Sequence, residues 1–209
     1  MIKALLLLIR PVQTWDGIDR SARSIAYVLL LHLLPLIVLT SVAEGYGLMH
    51  WGKKHRGEMT FIKHYTLNEV VIIEIIQSLL LLGMTFLGAY AAKAYAGTFH
   101  RRHTYRHAFT AIAFGVMPLI TLRLGDLSAS LNPWIPWAVG MVLTIAVLYH
   151  GLPCILKPDP PHAFGLFFMT SLTLVVINAM LRLVTSFYFS GRFPNLEKFI
   201  MDLAGSPPA

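Results

Sequence analysis

Long apolar stretches separated by short polar segments dominate the pattern along the chain. Five stretches reach about 20 residues, the length at which an α-helix crosses the roughly 30 Å hydrocarbon core of a bilayer. Their approximate bounds are residues 24–43, 69–99, 105–124, 133–156 and 163–189. Because these stretches are continuously apolar, they favour helices over the alternating strands of a barrel. The pattern therefore predicts an all-α integral membrane protein whose five transmembrane helices form one bundle.

A segment of mixed character precedes the first span. Residues 1–23 interleave leucines with charged side chains, which predicts an amphipathic helix lying in the membrane interface, although a disordered tail is the alternative. Pro11 should begin a new helical segment, and Trp15 should settle at headgroup depth. The chain thus divides into this interfacial segment, a transmembrane domain at 24–189 and a short polar C-terminal tail at 190–209.

The composition supports a membrane environment and favours lipid over nucleic acid as a binding partner. The chain is 56% hydrophobic and 13% charged, whereas a soluble domain has about 25% charged residues. Its single cysteine excludes an intramolecular disulfide framework and a cysteine-rich zinc site. The formal net charge is +7, but the cations are scattered among apolar runs, so anionic lipid headgroups are favoured over nucleic acid as their counter-charge.

Basic and aromatic residues near the span ends predict orientation and lipid contacts. Arg101, Arg102 and Arg106 crowd a very short loop, and this density favours a cytoplasmic amino terminus with the carboxyl terminus on the opposite side. The residues expected to engage anionic headgroups are Lys3, Arg10, Arg101, Arg102 and Arg106. Trp15, Trp134 and Trp137 are expected to anchor the protein at interface depth.

Four polar residues within the spans require partners, because an unpaired polar group in hydrocarbon costs a few kcal/mol or more. Glu74 in the second span and Arg182 in the fifth lie at similar depths, which predicts an intramembrane ion pair that stabilises the fold. His32 and Asn178 lie near mid-membrane and are expected to share an interhelical hydrogen bond. A transport or proton-relay role for these residues, or a ligand-binding His32, is the alternative.

Small residues recur along one face of the second span. Gly88, Ala92 and Ala96 are spaced by four residues, so another helix can approach closely there. Packing within the bundle is the simpler interpretation, and packing against a second copy of the chain is the alternative.

The loops carry histidines but no diagnostic metal or catalytic pattern. Histidines and a glutamate that could bind metal lie in two loops, namely His50, His55, Glu58 and His64, and His100, His103 and His107. Neighbouring arginines oppose a cation beside the second group, so we expect headgroup contact there and no metal. The sequence contains no GxSxG, HExxH, GxxxxGK[ST] or GxGxxG pattern, so we expect neither an enzyme nor a cofactor.

Two motifs give the chain a family resemblance. Residues 148–153 (LYHGLP) end the fourth span, and residues 113–119 (AFGVMPL) lie in the third. Together with the five-span order, these motifs resemble the Yip1 family. The matching motif positions are Pro118, Tyr149, Gly151, Leu152 and Pro153. The chain departs from the family pattern at His162-Ala163, where Lys-Ala is usual, and in lacking the long amino-terminal cytosolic region of eukaryotic members.

The resemblance implies more about fold than about function. Eukaryotic Yip1-type proteins are multispan proteins of endoplasmic reticulum and Golgi membranes, associated with Rab GTPases, with one another and with vesicle formation. The compact chain is similar to the bacterial branch, which suggests the bacterial inner membrane. We therefore expect an adaptor, scaffold or membrane-organising protein that contacts lipids and other membrane proteins or copies of itself. A small transporter or channel that uses the bilayer-depth polar residues is the alternative.

Overall fold

Five helices dominate the computed structural model, which describes residues 11–21, 23–56, 60–98, 104–127 and 131–205. These helices are long and apolar enough to cross a membrane. They are α2 (Ile25–His50), α3 (Leu67–Thr98), α4 (Tyr105–Leu127), α5 (Trp134–Leu156) and α6 (Ala163–Phe189). The predicted five-span architecture is confirmed. Two helices end later than expected, since α2 continues past residue 43 to His50 and α4 past residue 124 to Leu127.

Different elements mark the two ends of the bundle. At the hairpin end, strands β1 (Lys53–Arg56) and β2 (Thr60–Lys63) form an antiparallel pair that joins α2 to α3. This connection was expected to be a loop, because each strand has only four residues and β1 (KKHR) is almost entirely charged. At the opposite end, which we term the α1 end, helix α1 (Pro11–Ser21) packs against α5.

Helix α4 forms the centre of the bundle and packs against α2, α3 and α5. Every residue from Ala108 to Gly115 is buried, and the small side chains in this stretch allow neighbouring helices to come close. The helix is interrupted at Val116. Pro118 explains the interruption, because it has no N–H and its ring would collide with the carbonyl group of Phe114 in a regular α-helix.

A second proline has a similar effect in α2. The helix widens to a π-helix over Leu29–Leu33, immediately before Pro35. In a regular helix the ring of Pro35 would collide with the carbonyl group of Leu31, which lies within the widened turn. The π-helix therefore carries the chain past the proline without ending the span.

The small-residue stripe of α3 packs inside the bundle, as the simpler interpretation of the sequence held. Ala92 and Ala96 are buried. A Cβ atom on Gly88 would lie 2.6 Å from Leu174 Cδ2 on α6 and 3.4 Å from Ile112 Cγ2 on α4. The stripe therefore serves contacts between helices of one chain.

The C-terminal segment, expected to be a short polar tail, contains an amphipathic helix. Helix α7 (Pro194–Ala204) packs on the hairpin end of α3 and buries Ile200 in a cluster with Leu48 and Tyr65. Its exposed apolar side chains are Leu196, Phe199 and Leu203. The sequence carried a signal for this helix, because Pro194 suits a first helical position and apolar residues recur at helical spacing.

Candidate functional site

A network of buried charged groups links three spans near the hairpin end. Arg123, at the C-terminal turn of α4, contributes a single nitrogen, Nη2, to all of the contacts that follow. Nη2 lies 2.8 Å from Glu44 Oε2 on α2, 3.2 Å from Glu74 Oε2 on α3 and 2.9 Å from Gln77 Oε1 on α3. The guanidinium group therefore joins α4 to a carboxylate on α2 and to a carboxylate and an amide on α3.

A second ion pair lies beside this network and brings in α6. Arg182 donates from Nη1 to Asp126 Oδ2 at 3.0 Å and from Nη2 to Asp126 Oδ1 at 2.8 Å. Such a two-point contact between a guanidinium group and a carboxylate is the geometry that gives strong, directional pairing. Arg182 Nη2 also donates to the carbonyl oxygen of Pro133 at 2.6 Å, which ties α6 to the start of α5. Asp126 itself is buried.

These contacts correct the predicted ion pair between Glu74 and Arg182. Each of the two residues has a different partner, namely Arg123 for Glu74 and Asp126 for Arg182. The prediction failed because the third span was ended near residue 124, which left Asp126 in a loop and placed Arg123 at the very end of the span. The sequence does signal that Arg123 and Asp126 belong together, because they stand three residues apart on one helical face, but this spacing does not decide which charges on other helices they meet.

The predicted hydrogen bond between His32 and Asn178 is also not what the structure shows. Asn178 Nδ2 donates to the carbonyl oxygen of Leu174, one turn earlier in its own helix. The ring of His32 lies toward the α1 end, with its centroid 5.2 Å from that of Phe114. Counting residues from the predicted span ends placed both side chains at mid-membrane, but the two contacts lie in different parts of the bundle.

Two glycines allow α2 to approach its neighbours at the level of the network. A Cβ atom on Gly47 would lie 2.7 Å from the carbonyl oxygen of Leu127, the last residue of α4. A Cβ atom on Gly45 would lie 2.8 Å from Val70 Cγ1 on α3. Larger residues at either position would push apart the helices that carry Glu44, Glu74 and Arg123.

A small cavity of about 70 Å³ lies on the other side of Arg123. Its polar lining consists of Gln77, Arg123, Asp126, Trp137, Asn178, Arg182 and Thr185. Arg123 Nη1 and Trp137 Nε1 are buried donors without a hydrogen-bond partner in the described part of the chain. A volume of this size has room for about two water molecules, which could accept from such donors. The cavity therefore has charged and polar groups that can hold and orient water molecules or a charged group inside the bundle.

A second feature, at the α1 end, accounts for the family motif of α5. A Cβ atom on Gly151 would lie 2.3 Å from Trp15 Cζ2, so the indole ring of α1 occupies the space that a side chain would fill. Trp15 is fully buried and makes an edge-to-face contact with Phe114, with ring centroids 6.4 Å apart. Trp15 therefore does not anchor the interface as predicted, because the glycine admits its ring to the core.

The other motif residues also have structural positions. Leu152 is fully buried beside this contact, and Pro118 is buried where α4 is interrupted. Tyr149 is half-exposed and packs edge-to-face on Phe167 of α6, with ring centroids 5.2 Å apart. Pro153 lies inside α5, and its carbonyl oxygen accepts from the N–H group of Lys157 at 3.0 Å.

Polar contacts complete the attachment of α1 to α5. Lys157 Nζ lies 2.7 Å from Asp19 Oδ2, and Cys154 Sγ lies 3.5 Å from Asp16 Oδ1. The hydrogen bond and the charge of Asp19 raise the pKa of Lys157 above its ordinary value. The attachment therefore combines one buried aromatic contact with exposed polar contacts on the same helix.

The structure describes only some of the residues that were predicted to contact lipid headgroups. Lys3, Arg10, Arg101 and Arg102 lie outside the described residues. Arg106 is partly buried in the first turn of α4. Trp134 and Trp137 lie in the first turn of α5 and pack edge-to-face, with ring centroids 5.6 Å apart. Their position at a helix end is consistent with interface depth, and their anchoring role stays a prediction.

The loop histidines that are described have neighbours of other kinds. His50 stacks on Tyr46, His64 Nδ1 lies 3.3 Å from the carbonyl oxygen of Met49, and His107 Nδ1 lies 2.9 Å from Thr104 Oγ1. In the described parts of the chain, no three side chains of the metal-binding types converge. His100, His103, Glu58 and the side chain of His55 lie outside them.

Comparison with known families gives a match over most of the chain. The model of the Yip1 domain matches residues 5–194, which is nearly the whole chain. No curated protein and no solved structure matches the chain. The matched region extends from the segment ahead of α1 to the start of α7. It includes both the contact between Trp15 and Gly151 and the charged network. The chain is an integral membrane protein and belongs to the Yip1 family.

Proposed function

We propose that this Yip1-family protein acts as an adaptor or scaffold that organises other membrane proteins through protein and lipid contacts. Its large apolar outer surface faces the bilayer, and residues at both ends of the bundle are available to partners. Its function would then be to hold other membrane proteins together. It would neither catalyse a reaction nor carry a solute across the membrane.

The packing at the α1 end is the observation that supports this function most strongly. Five large side chains from three helices are fully buried there, namely Trp15, Phe109, Ile112, Leu148 and Leu152. Protein interiors packed in this way leave few voids larger than a water molecule. A solute crossing the bundle would have to separate these side chains. The packing therefore favours a protein that presents surfaces over one that conducts.

The charged network supports the same function from the hairpin end. Each arginine lies within hydrogen-bonding distance of a carboxylate on another helix. Breaking such pairs inside the bundle exposes uncompensated charge, which is costly. The network is therefore suited to fixing helix positions, as a scaffold requires.

Location and lipid contact form the finer part of the proposal. We propose a bacterial inner membrane as the location of the protein. Residue 11 would then lie on the cytoplasmic side, because Arg101, Arg102 and Arg106 crowd the loop between α3 and α4. With Lys3 and Arg10, these residues would contact anionic headgroups. Replacing the three arginines together by glutamine should weaken the binding of anionic lipid to the chain purified in detergent, compared with zwitterionic lipid. Unchanged binding of anionic lipid would remove this role.

Crosslinking in native membranes tests the adaptor role. The chain is expressed at native level with a photo-crosslinking residue at an exposed site on α7, such as Phe199, and in parallel at the lipid-facing position Val142 of α5. Discrete adducts with other membrane proteins or with a second copy, seen at Phe199 and reduced by purified competitor chain, are expected. The same adducts at both sites would indicate random collision and would contradict a specific adaptor.

A small transporter or channel is the second candidate. The cavity beside Arg123, with Asn178 and Arg182 in its lining, is the observation that favours it. Flux of ions or small solutes into liposomes distinguishes the two. A flux that Glu74→Gln abolishes and the surface variant Lys198→Gln preserves would establish transport in place of the adaptor role.

A further inference from the structure

Helix α7 carries more apolar surface than its contact with the bundle covers. Successive residues of an α-helix are turned by about 100°, which places four large apolar side chains on one side of α7. These side chains belong to Leu196, Phe199, Ile200 and Leu203. Ile200 is buried against the bundle, whereas the other three are exposed. An exposed apolar patch of this kind requires a partner that is itself apolar.

The remaining surface of α7 is polar. Asn195, Lys198 and Asp202 lie on another side of the helix, and all three are exposed. The helix therefore has an apolar side that is only partly covered and a polar side that is open. Helices with this division of side chains lie in the plane of the membrane interface, with the apolar side toward the acyl chains.

The contacts of α7 hold it at the boundary between hydrocarbon and water. Four residues, 190–193, separate it from the last residue of α6, Phe189. Ile200 packs in one cluster with Phe189 and with Ile73 of α3. Ile73 lies six residues inside α3, which is about 9 Å from the start of that helix. Helix α7 is therefore attached to the ends of two spans.

The apolar side of α7 is continuous with the lipid-facing surface of these spans. A cavity of about 90 Å³ lies between α7, α3 and α6, and its lining includes Leu196, Ile76 and Val184. Ile76 and Val184 lie within membrane spans, and both are exposed, so lipid must cover them. The acyl chains that cover Ile76 and Val184 would therefore also reach Leu196. This continuity identifies lipid as the partner of the exposed apolar side.

The charges near α7 indicate that the contact with lipid is apolar. Residues 192–204 contain two basic residues, Arg192 and Lys198, and two acidic residues, Glu197 and Asp202. Helices that are drawn to anionic headgroups have a surplus of lysine and arginine, which this segment lacks. Burial of apolar side chains would therefore hold α7 in lipid of any headgroup charge.

We infer that α7 lies in the membrane interface at the hairpin end and inserts Leu196, Phe199 and Leu203 among the acyl chains. Lys198 and Asp202 then face water. The expected depth of the apolar side chains is about 5 to 10 Å below the headgroups. This inference goes beyond the adaptor role and does not rest on it. A membrane protein that crosslinks at Phe199 would approach it within the plane of the bilayer.

Spin labels on the whole chain test the inference in nanodiscs of phosphatidylcholine that hold one copy each. The labels are attached to single cysteines that replace Phe199, Leu203 or Lys198 in the Cys154→Ser background. Oxygen concentrates in hydrocarbon and a nickel chelate stays in water, so collisions of each label with the two reagents report its depth. Labels at Phe199 and Leu203 should collide mainly with oxygen, as a reference label at Val142 on α5 does. The label at Lys198 should collide mainly with the chelate.

Lys198 is a matched control, because it is the sequence neighbour of Phe199 and differs from it in direction around the helix. All three labelled positions are exposed, so the labels should not disturb the fold. A second measurement repeats the experiment in nanodiscs that contain anionic phosphatidylglycerol. The depth of the labels at Phe199 and Leu203 should not change.

Several outcomes would overturn the inference. Equal collision of the chelate with labels at Phe199 and Lys198 would show that water surrounds α7. Protection of the Phe199 label from both reagents would show that protein covers this side. Spin–spin broadening of the Phe199 label in liposomes would identify a second copy as the partner. Insertion that requires phosphatidylglycerol would show that charge, and not apolar burial, holds the helix. None of these results decides whether other proteins are captured in the crosslinking test.

Discussion

A single nitrogen of Arg123 connects side chains from three helices, so its removal should be unusually costly. In Arg123→Met, Glu44 and Glu74 lose their shared donor and stay buried, which should lower the free energy of unfolding by about 3 to 5 kcal/mol. Reversible unfolding in mixed detergent micelles measures the change. The exposed variant Lys198→Met is the control and should change it by less than about 0.5 kcal/mol.

Restoring charge balance provides the complementary experiment. Adding Glu44→Gln and Glu74→Gln to Arg123→Met removes the uncompensated carboxylates, and the triple variant should recover most of the lost stability. A triple variant as unstable as the single one would show that packing of Arg123, and not charge pairing, holds the helices together.

The contact between Gly151 and Trp15 supports a second prediction at the residue scale. Gly151→Val should displace α1, because even a Cβ atom would lie 2.3 Å from the indole ring. We expect increased proteolysis within α1 and a loss of stability of about 1 to 3 kcal/mol. Gly83→Val is the matched control, since nothing lies within 4 Å of a Cβ atom there. Equal proteolysis and equal loss of stability in the two variants would contradict the contact between Trp15 and Gly151.

At the scale of elements, Gly88 is a position where the absence of a side chain lets α3 pack closely against α6. Gly88→Val should force the helices apart against Leu174 and cost about 1 to 3 kcal/mol of stability. Adding Leu174→Ala should restore part of this loss by making room for the new methyl groups. Thermal unfolding of the single and double variants measures the coupling, and strictly additive effects would argue against the contact.

The attachment of α1 should depend on pH through Lys157. Because Asp19 raises the pKa of Lys157, the pair stabilises the docked helix fully below the ordinary lysine value of about 10.4. Its contribution is lost as the pH rises through the raised pKa. The difference in unfolding free energy between the native chain and Asp19→Asn should therefore be constant below that value and shrink above it. The pair is exposed, so the difference is small.

The elements also show what the sequence could and could not predict. Long apolar runs are sufficient to predict the five spans, because each must satisfy its own backbone in lipid. Partner choice could not be predicted, since Glu74 and Arg182 had matching depths and the arrangement of helices around α4 decides which charges meet. The ends of α2 and α4 were placed too early, because a charged residue follows each apolar run, Glu44 in α2 and Asp126 in α4.

For the molecule as a whole, five spans predict that Arg23, ahead of the first span, and Lys198, after the fifth, lie on opposite sides of the membrane. The single native cysteine makes this easy to test, because Cys154→Ser leaves a background without thiols. Cysteines introduced one at a time in place of Arg23 and Lys198 should react with an impermeant maleimide from opposite faces. Labelling of both from one face would contradict the architecture, and labelling of Arg23→Cys from outside the cell would reverse the proposed orientation.

The contact between Trp15 and Gly151 constrains the order in which the protein can assemble during its synthesis. Helix α1 leaves the ribosome before the five spans, yet Gly151, the position that receives its indole ring, lies in the fourth span and is synthesised later. Helix α1 therefore cannot dock until the fourth span has been made and inserted. Its docking is a late step of biogenesis, which joins the segment ahead of the first span to the fourth span.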